Sequence, residues 1–232
     1  MVATGRNAEH VIKALGEQPE LLALPLDVRN EAQAVAAAKA AIDRFGRIDV
    51  LVNNAGYGLL GAVEEASARE VEDLFATNVF GLLNVTRAVL PYMRAAKSGH
   101  IMNLSSIGGY SAHAGWGVYG ATKFAVEGIS EALSIELAPL GIHSTVVEPG
   151  FFRTDFLSAS SLVSTAKSIE DYAATVGTMR VFAEGADHQQ PGNPARLADA
   201  LLVIADAKTP PHRLPLGSDT VASPFACVLQ QR

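Results

Sequence analysis

Ser106, Tyr119 and Lys123 carry the strongest chemical signal in the 232-residue chain, in the spacing Ser-x12-Tyr-x3-Lys. Residues four apart on a helix stand one turn apart on one face, so the Lys123 ammonium can lie beside the Tyr119 phenol. A free phenol ionises near ~10, too high for efficient proton exchange at neutral pH, and a neighbouring cation favours the phenolate. A phenol tuned in this way can give a proton to a developing alkoxide or take one from an alcohol. Tyr-x-x-x-Lys alone is more often a structural pair, so its surroundings must decide.

Those surroundings alternate between strand and helix. Short runs rich in Val, Ile and Leu at 2–4, 21–26, 48–52, 100–104, 143–148 and, less clearly, 213–216 read as buried strands. Asn7 predicts the cap of a helix ending near Gly16, and Asn30 that of a helix whose Val35, Ala38, Ile42 and Phe45 share a face before Gly46. Ser67-Ala68-Arg69-Glu70 has capping-box spacing and opens a helical stretch towards Arg94. A further helix carries Tyr119 through 137, and Asn193-Pro194 starts a last one. This order predicts an α/β fold, a doubly wound parallel sheet in three layers, with ligands beyond the carboxyl ends of the strands. Residues 151–192, mixing Ser, Thr, Gly and charges with isolated apolar residues, read as a mobile substrate lid.

In this setting the chain resembles the short-chain dehydrogenase/reductase family. Ser106, Tyr119 and Lys123 follow its pattern, as do Asn53-Asn54-Ala55-Gly56 after a strand, Asn78 on the next helix, and Pro149-Gly150 with Thr154 close behind. The resemblance spans most of the chain and implies a Rossmann-like domain over 1–232. It implies hydride exchange between a nicotinamide cofactor and a ketone or secondary alcohol of moderate size. Tyr119 is then the acid/base and Ser106 holds the substrate oxygen. Lys123 also bonds the nicotinamide ribose, and Asn78 organises a water that relays protons to it. Asn53, Ala55 and Gly56 lie beneath the cofactor, with Pro149, Gly150 and Thr154 near the carboxamide. Plainer roles stay open: a turn cap for Ser106, backbone bonding in a bent helix for Asn78, and an ordinary loop hydroxyl for Thr154.

The cofactor is read as NADP in preference to NAD. Thr4-Gly5-Arg6-Asn7 has no acid at Gly5 to bond a free ribose, and Arg6 can pair with a 2′-phosphate. Asp27 matches the family acid beside the adenine; a surface turn acid is its alternative. The chain departs from the family at its amino end. Residues 1–3 read as the second family strand, so the first strand, the glycine-rich phosphate turn and its helix, roughly 30 residues, are expected to be absent. The end after Gly217-Ser218-Asp219 is also short.

Composition bounds the remainder. Hydrophobic residues make up 49% and charged residues 18%, with a formal net charge of −6. No basic stripe suggests nucleic acid, no apolar run reaches the roughly 20 residues of a membrane span, and the expectation is a soluble protein. A single cysteine, Cys227, and no secretory leader suggest a reducing, cytoplasmic setting. Six scattered histidines offer no metal set. Phe151, Phe152, Phe156, Leu157, Tyr172, Met179 and Phe182 can line an apolar substrate pocket, with His113 and Trp116 on its wall. The family pairs its two long helices, so 75–94 and 119–137 are expected to build a homodimer or homotetramer. The alternative is a non-catalytic, partner-binding protein of this fold without a competent nucleotide site.

Overall fold

The computed structural model describes residues 1–222; Cys227 and the remaining tail lie outside the described residues. The chain opens with strand β1 (Val2–Gly5), helix α1 (Ala8–Leu15), β2 (Leu22–Pro25) and α2 (Glu31–Phe45). Asn7 and Asn30 cap these helices, accepting from the backbone N–H of Glu9 at 2.8 Å and of Gln33 at 3.1 Å. Gly46 closes α2 in the left-handed conformation, φ 79°, which only glycine adopts without strain. The buried face of α2 is Ala34, Ala38 and Ala41, while Val35 is exposed. The face expected from Val35, Ala38, Ile42 and Phe45 is therefore corrected: small side chains let α2 approach the helix it packs against.

Next come β3 (Val50–Asn53), a short β4 (Gly58–Leu60), α3 (Ala68–Phe75), a π-helical turn over 76–81, and α4 (Leu82–Ala96). Ser67 forms the full capping box: its hydroxyl accepts from the Glu70 N–H at 3.3 Å and its N–H donates to Glu70 at 2.8 Å. β5 (Gly99–Leu104), the long α5 (Gly117–Leu137) and β6 (Ile142–Pro149) follow. The last part holds β7 (Leu162–Ser164), α6 (Thr178–Ala186), α7 (Pro194–Ala205), β8 (Arg213–Leu216) and α8 (Ser218–Val221).

Among the described residues every strand pair is parallel, and the strands form three sheets: β1-β2, β3-β5-β6-β8 and β4-β7. This is the Rossmann-like α/β architecture expected. Helices α2, α4 and α5 share one core with the strands, built around Ala38, Val89, Met93, Ile101, Leu133 and Ile142. Met93 and Ile101 are fully buried, and each such side chain contributes about 1.5–3 kcal/mol. The helical run Ala68–Ala96 is long and apolar enough to cross a membrane, and its Ala88, Val89 and Met93 pack into this core. It also carries buried polar groups with partners: Asn84 donates to the Val28 carbonyl at 2.9 Å and Thr86 accepts from Asn53 at 3.0 Å.

The β4–β7 pairing was not legible in the sequence, nor was α6. Within residues 151–192, β7 pairs with β4 and Arg180 bonds the buried Glu65 at 2.7 Å. The Tyr172 hydroxyl donates to Glu64 at 2.7 Å. These contacts fasten the expected lid segment to the region that follows β3.

Candidate active site

The strand register brings Asn53 opposite Asn103, Leu104 opposite Val147 and Pro149 opposite Leu216. The carboxyl ends of β3, β5, β6 and β8 therefore meet on one side of the sheet. There they border a cavity of about 520 Å³, walled by residues that include Asn54, Gly56, Ser106, Tyr119, Lys123, Pro149, Gly150 and Thr154. The 151–192 segment closes it with Phe151, Phe152, Phe156, Leu157, Met179 and Phe182, and His113 and Trp116 stand on its wall. Tyr172, placed with this group by the sequence, bonds Glu64 and is not among the lining residues.

Tyr119 and Lys123 lie one turn apart near the start of α5, both buried. The phenol ring meets Trp116 edge-on at 5.6 Å and Phe156 at 5.5 Å between centroids. Lys123 Nζ donates to the carbonyl of Leu104, the last residue of β5, at 2.7 Å and lies 5.7 Å from the Tyr119 ring centroid. The strand end thus fixes the ammonium. Ser106 follows it in extended backbone, its Oγ accepting from the Gly108 N–H at 3.1 Å and capping the turn 107–109.

Burial dominates the electrostatics. It raises the Tyr119 phenol above its ordinary value, with the Ser106 hydroxyl pulling the other way. It lowers Lys123 to about 8, opposed by the charge of Glu127. Aromatic walls desolvate the hydroxyl, and the ammonium is tied to a carbonyl.

Asn78 lies in the π-helical turn between α3 and α4, a distortion frequent at functional sites. Its Oδ1 accepts from the Tyr57 N–H at 3.1 Å, and its Nδ2 donates to the Tyr57 carbonyl at 3.0 Å and to Thr122 Oγ1 at 3.2 Å. It ties the turn after β3 to α5. A methyl group at Gly56 would stand 3.1 Å from Asn78 Oδ1, so this turn has little room for a side chain. Asn53 Nδ2 donates to Thr86 Oγ1 and to Asn103 Oδ1 at 2.8 Å, bridging β3 to α4 and β5. Asn53, Ala55 and Asn78 lie outside the cavity lining.

Thr154 lines the cavity while its Oγ1 accepts from the Phe156 N–H at 3.3 Å. Beside Gly150, the Phe151 N–H donates to Asp219 at 2.7 Å, and a methyl group on Gly150 would collide with that carboxylate. Arg6 follows β1 and is exposed. Asp27 follows β2 and forms an ion pair with Arg29 at 2.7 Å, whose hydrogen bond holds the carboxyl below its ordinary range; Arg6 adds to this. Arg29 and Gln190 were missed in the sequence, where neither falls in a motif. Gln190 is buried in the cavity wall, its Nε2 near the Thr154 carbonyl at 3.5 Å and its Oε1 without a partner.

A nicotinamide cofactor fits one end of this site. The crowded Gly56 turn, the buried Lys123 and the free Gln190 acceptor face one cavity large enough for a ring and its ribose.

Fold and site define a parallel α/β protein with a buried Tyr–Lys pair at its strand ends. A family model described as short chain dehydrogenase matches residues 1–162. The chain is 37% identical over 214 residues to a 3-ketodihydrosphingosine reductase of Bacteroides thetaiotaomicron, covering 90% of this chain and 79% of that one. A crystal structure of a short-chain dehydrogenase from Streptomyces avermitilis superposes with a TM-score of 0.86 at 39% identity, covering 99% and 82%. A gluconate 5-dehydrogenase from Burkholderia cenocepacia, in complex with NADP and tartrate, gives a TM-score of 0.62 at 30% identity, covering 68% and 64%. The chain belongs to the short-chain dehydrogenase/reductase family and is an NAD(P)-dependent oxidoreductase.

Proposed function

We propose that this protein reduces a ketone bearing an apolar chain or ring, using NADPH, with Tyr119 as the proton donor. The observation that carries this reading is the convergence of Ser106, Tyr119 and Lys123 on a cavity lined mostly by aromatic and aliphatic side chains. When bound, the reduced nicotinamide supplies a hydride to the carbonyl carbon. Ser106 positions the carbonyl oxygen. Tyr119 passes its hydroxyl proton to that oxygen as negative charge builds there, and the Lys123 ammonium stabilises the phenolate left behind. Asn78 holds the Gly56–Tyr57 turn against α5 and so fixes the floor beneath the reacting groups. Residues Asn53, Ala55, Gly56, Pro149, Gly150 and Thr154 are assigned to the nicotinamide end, and Arg6 and Asp27 to the adenosine end. The preference for NADP rests on Arg6, with Arg29 near it through their shared neighbour Asp27.

The choice of an apolar ketone draws on the Phe151, Phe156, Leu157 and Met179 lining and on the likeness to the 3-ketodihydrosphingosine reductase. The same reading includes a cytoplasmic homodimer or homotetramer formed through α4 and α5, with Phe80 exposed in the turn before α4 and Phe124 exposed on α5. NADPH consumption should be measured against long-chain or ring ketones and against short polar keto acids, alongside calorimetric binding of NADPH and NADH. Turnover confined to the apolar ketones, with Arg6→Ala weakening NADPH more than NADH, is the expected result. Binding of neither cofactor, with no turnover, would replace this reading by a non-catalytic one.

A further inference from the structure

Behind the Tyr119–Lys123 pair lies a second set of charges with no part in the reaction as written above. Helix α5 places Glu127 one turn beyond Lys123 and Glu131 one turn further, so Tyr119, Lys123, Glu127 and Glu131 run along one side of the helix. Glu148 comes from β6 and Arg213 from the neighbouring β8. Arg213 Nη1 donates to Glu127 Oε2 and, at 3.1 Å, to Glu148 Oε1, while Nη2 reaches Glu131 at 3.2 Å. Glu127 and Glu148 are nearly sealed from solvent, with side-chain exposures of 8% and 3%; Glu131 is exposed. One guanidinium therefore serves two buried carboxyls.

Glu127 Oε1 faces the hydroxyl of Ser105 beside Gly109, and neither atom has another partner. A methyl group at Gly109 would stand 2.9 Å from that carboxylate oxygen and 2.4 Å from Ser105 Oγ, so glycine is required where the three meet. Ser105 directly follows Leu104, whose carbonyl holds the Lys123 ammonium. A buried ion cluster contributes little stability over apolar packing. The arrangement gains meaning from the cation beside it.

We propose that Glu127, held in place by Arg213 and Glu148, is a positioning residue whose carboxylate keeps Lys123 charged while Tyr119 exchanges its proton. This rests on the Tyr119–Lys123 reading given above. Burial raises Glu127, and burial followed by the charge of Glu127 pushes Glu148 up to about 7. The two carboxyls share one proton in mildly acid solution, where the cluster of two acids and one guanidinium is neutral. Loss of that proton near neutrality leaves one net negative charge, which supports the ammonium as rising pH begins to strip it. The other titratable groups facing the cluster are Tyr110, raised by burial and by both glutamates, Asp219, and His212, lowered by burial.

The test is a direct titration of the Lys123 Nζ in the cofactor-free protein, by NMR of lysine labelled at Cε and Nζ, with the signal assigned by its loss in Lys123→Arg. Glu127→Gln keeps the shape and a contact to Arg213. It is expected to raise the acid dissociation constant of Lys123 about tenfold. Glu131→Gln, at the exposed end, should move it less. A purely structural Glu127 would lower the unfolding midpoint and leave the Lys123 titration in place, and that result overturns the proposal. Should Glu127→Gln fail to fold, Glu127→Met, which exchanges the charge for an apolar side chain of similar length, replaces it: a fall in the Lys123 midpoint supports the proposal and an unmoved one overturns it. A shifted midpoint in a protein without turnover would sink the reductase reading alone; turnover with an unmoved midpoint would sink this proposal alone.

Discussion

Burial acts on Tyr119 and Lys123 in opposite senses, because it disfavours whichever form of each group is charged. The phenol keeps its proton and the ammonium is brought down to about 8. Tyr119→Phe removes only the hydroxyl and keeps the ring contacts to Trp116 and Phe156. Turnover should fall by about 10²–10⁴ while the urea midpoint stays at the wild-type value; retained turnover would remove Tyr119 from its role. Ser106, Tyr119 and Lys123 were legible in the sequence because their spacing is local to one strand end and one helix. Glu127 was not: its partner Arg213 lies 86 residues away, and its role depends on which strands become neighbours. Gln190 gives no signal either, since only closure of the chain around Thr154 makes it a buried acceptor.

At the scale of elements, the pairing of β5 with β6 creates a titrating contact that neither strand has alone. Their register sets His100 opposite His143, and His100 Nε2 lies 2.9 Å from Thr145 Oγ1. Burial first, and His143 second, bring His100 down to about 4. A histidine lowered on folding binds fewer protons than its unfolded counterpart between about 4 and 6.5. Stability therefore rises with pH across that window and is lost on acidification. His100→Gln should flatten this dependence, removing on the order of 2–3 kcal/mol of the change in urea unfolding free energy from pH 7 to pH 4. Equal slopes in both proteins would show His100 to be accessible to protons. The major strands and the capped helices were readable because each is signalled by a local run or cap. The alanine face of α2 was not, because it answers to the closeness of α4. Nor were β4 and β7, three residues each, since each is a strand only through a partner about a hundred residues away.

At the scale of the molecule, the strands of the amino-terminal unit bond only to each other: β1 pairs with β2, and neither pairs with β3. The unit is held to the rest by side chains, through α2 against α4, Asn84 on the Val28 carbonyl, and the exposed ion pair of Arg87 with Glu31 at 3.0 Å. Exposed ion pairs of that kind contribute little. Val50 and Val52 on β3 remain partly open to solvent, unlike Ile101 and Met102 on β5. Amide hydrogen exchange should therefore separate two populations, with β1, β2, α1 and α2 losing protection together and before β5 and β6. Uniform protection across β1 and β5 would show a single cooperative block. If the two populations exist, residues 1–45 can swing away as one piece without disturbing Tyr119. The adenosine-facing Arg6 and Asp27 would then depart from the acid/base pair in the same event, and grip on the far end of a dinucleotide would be timed by a local unfolding equilibrium.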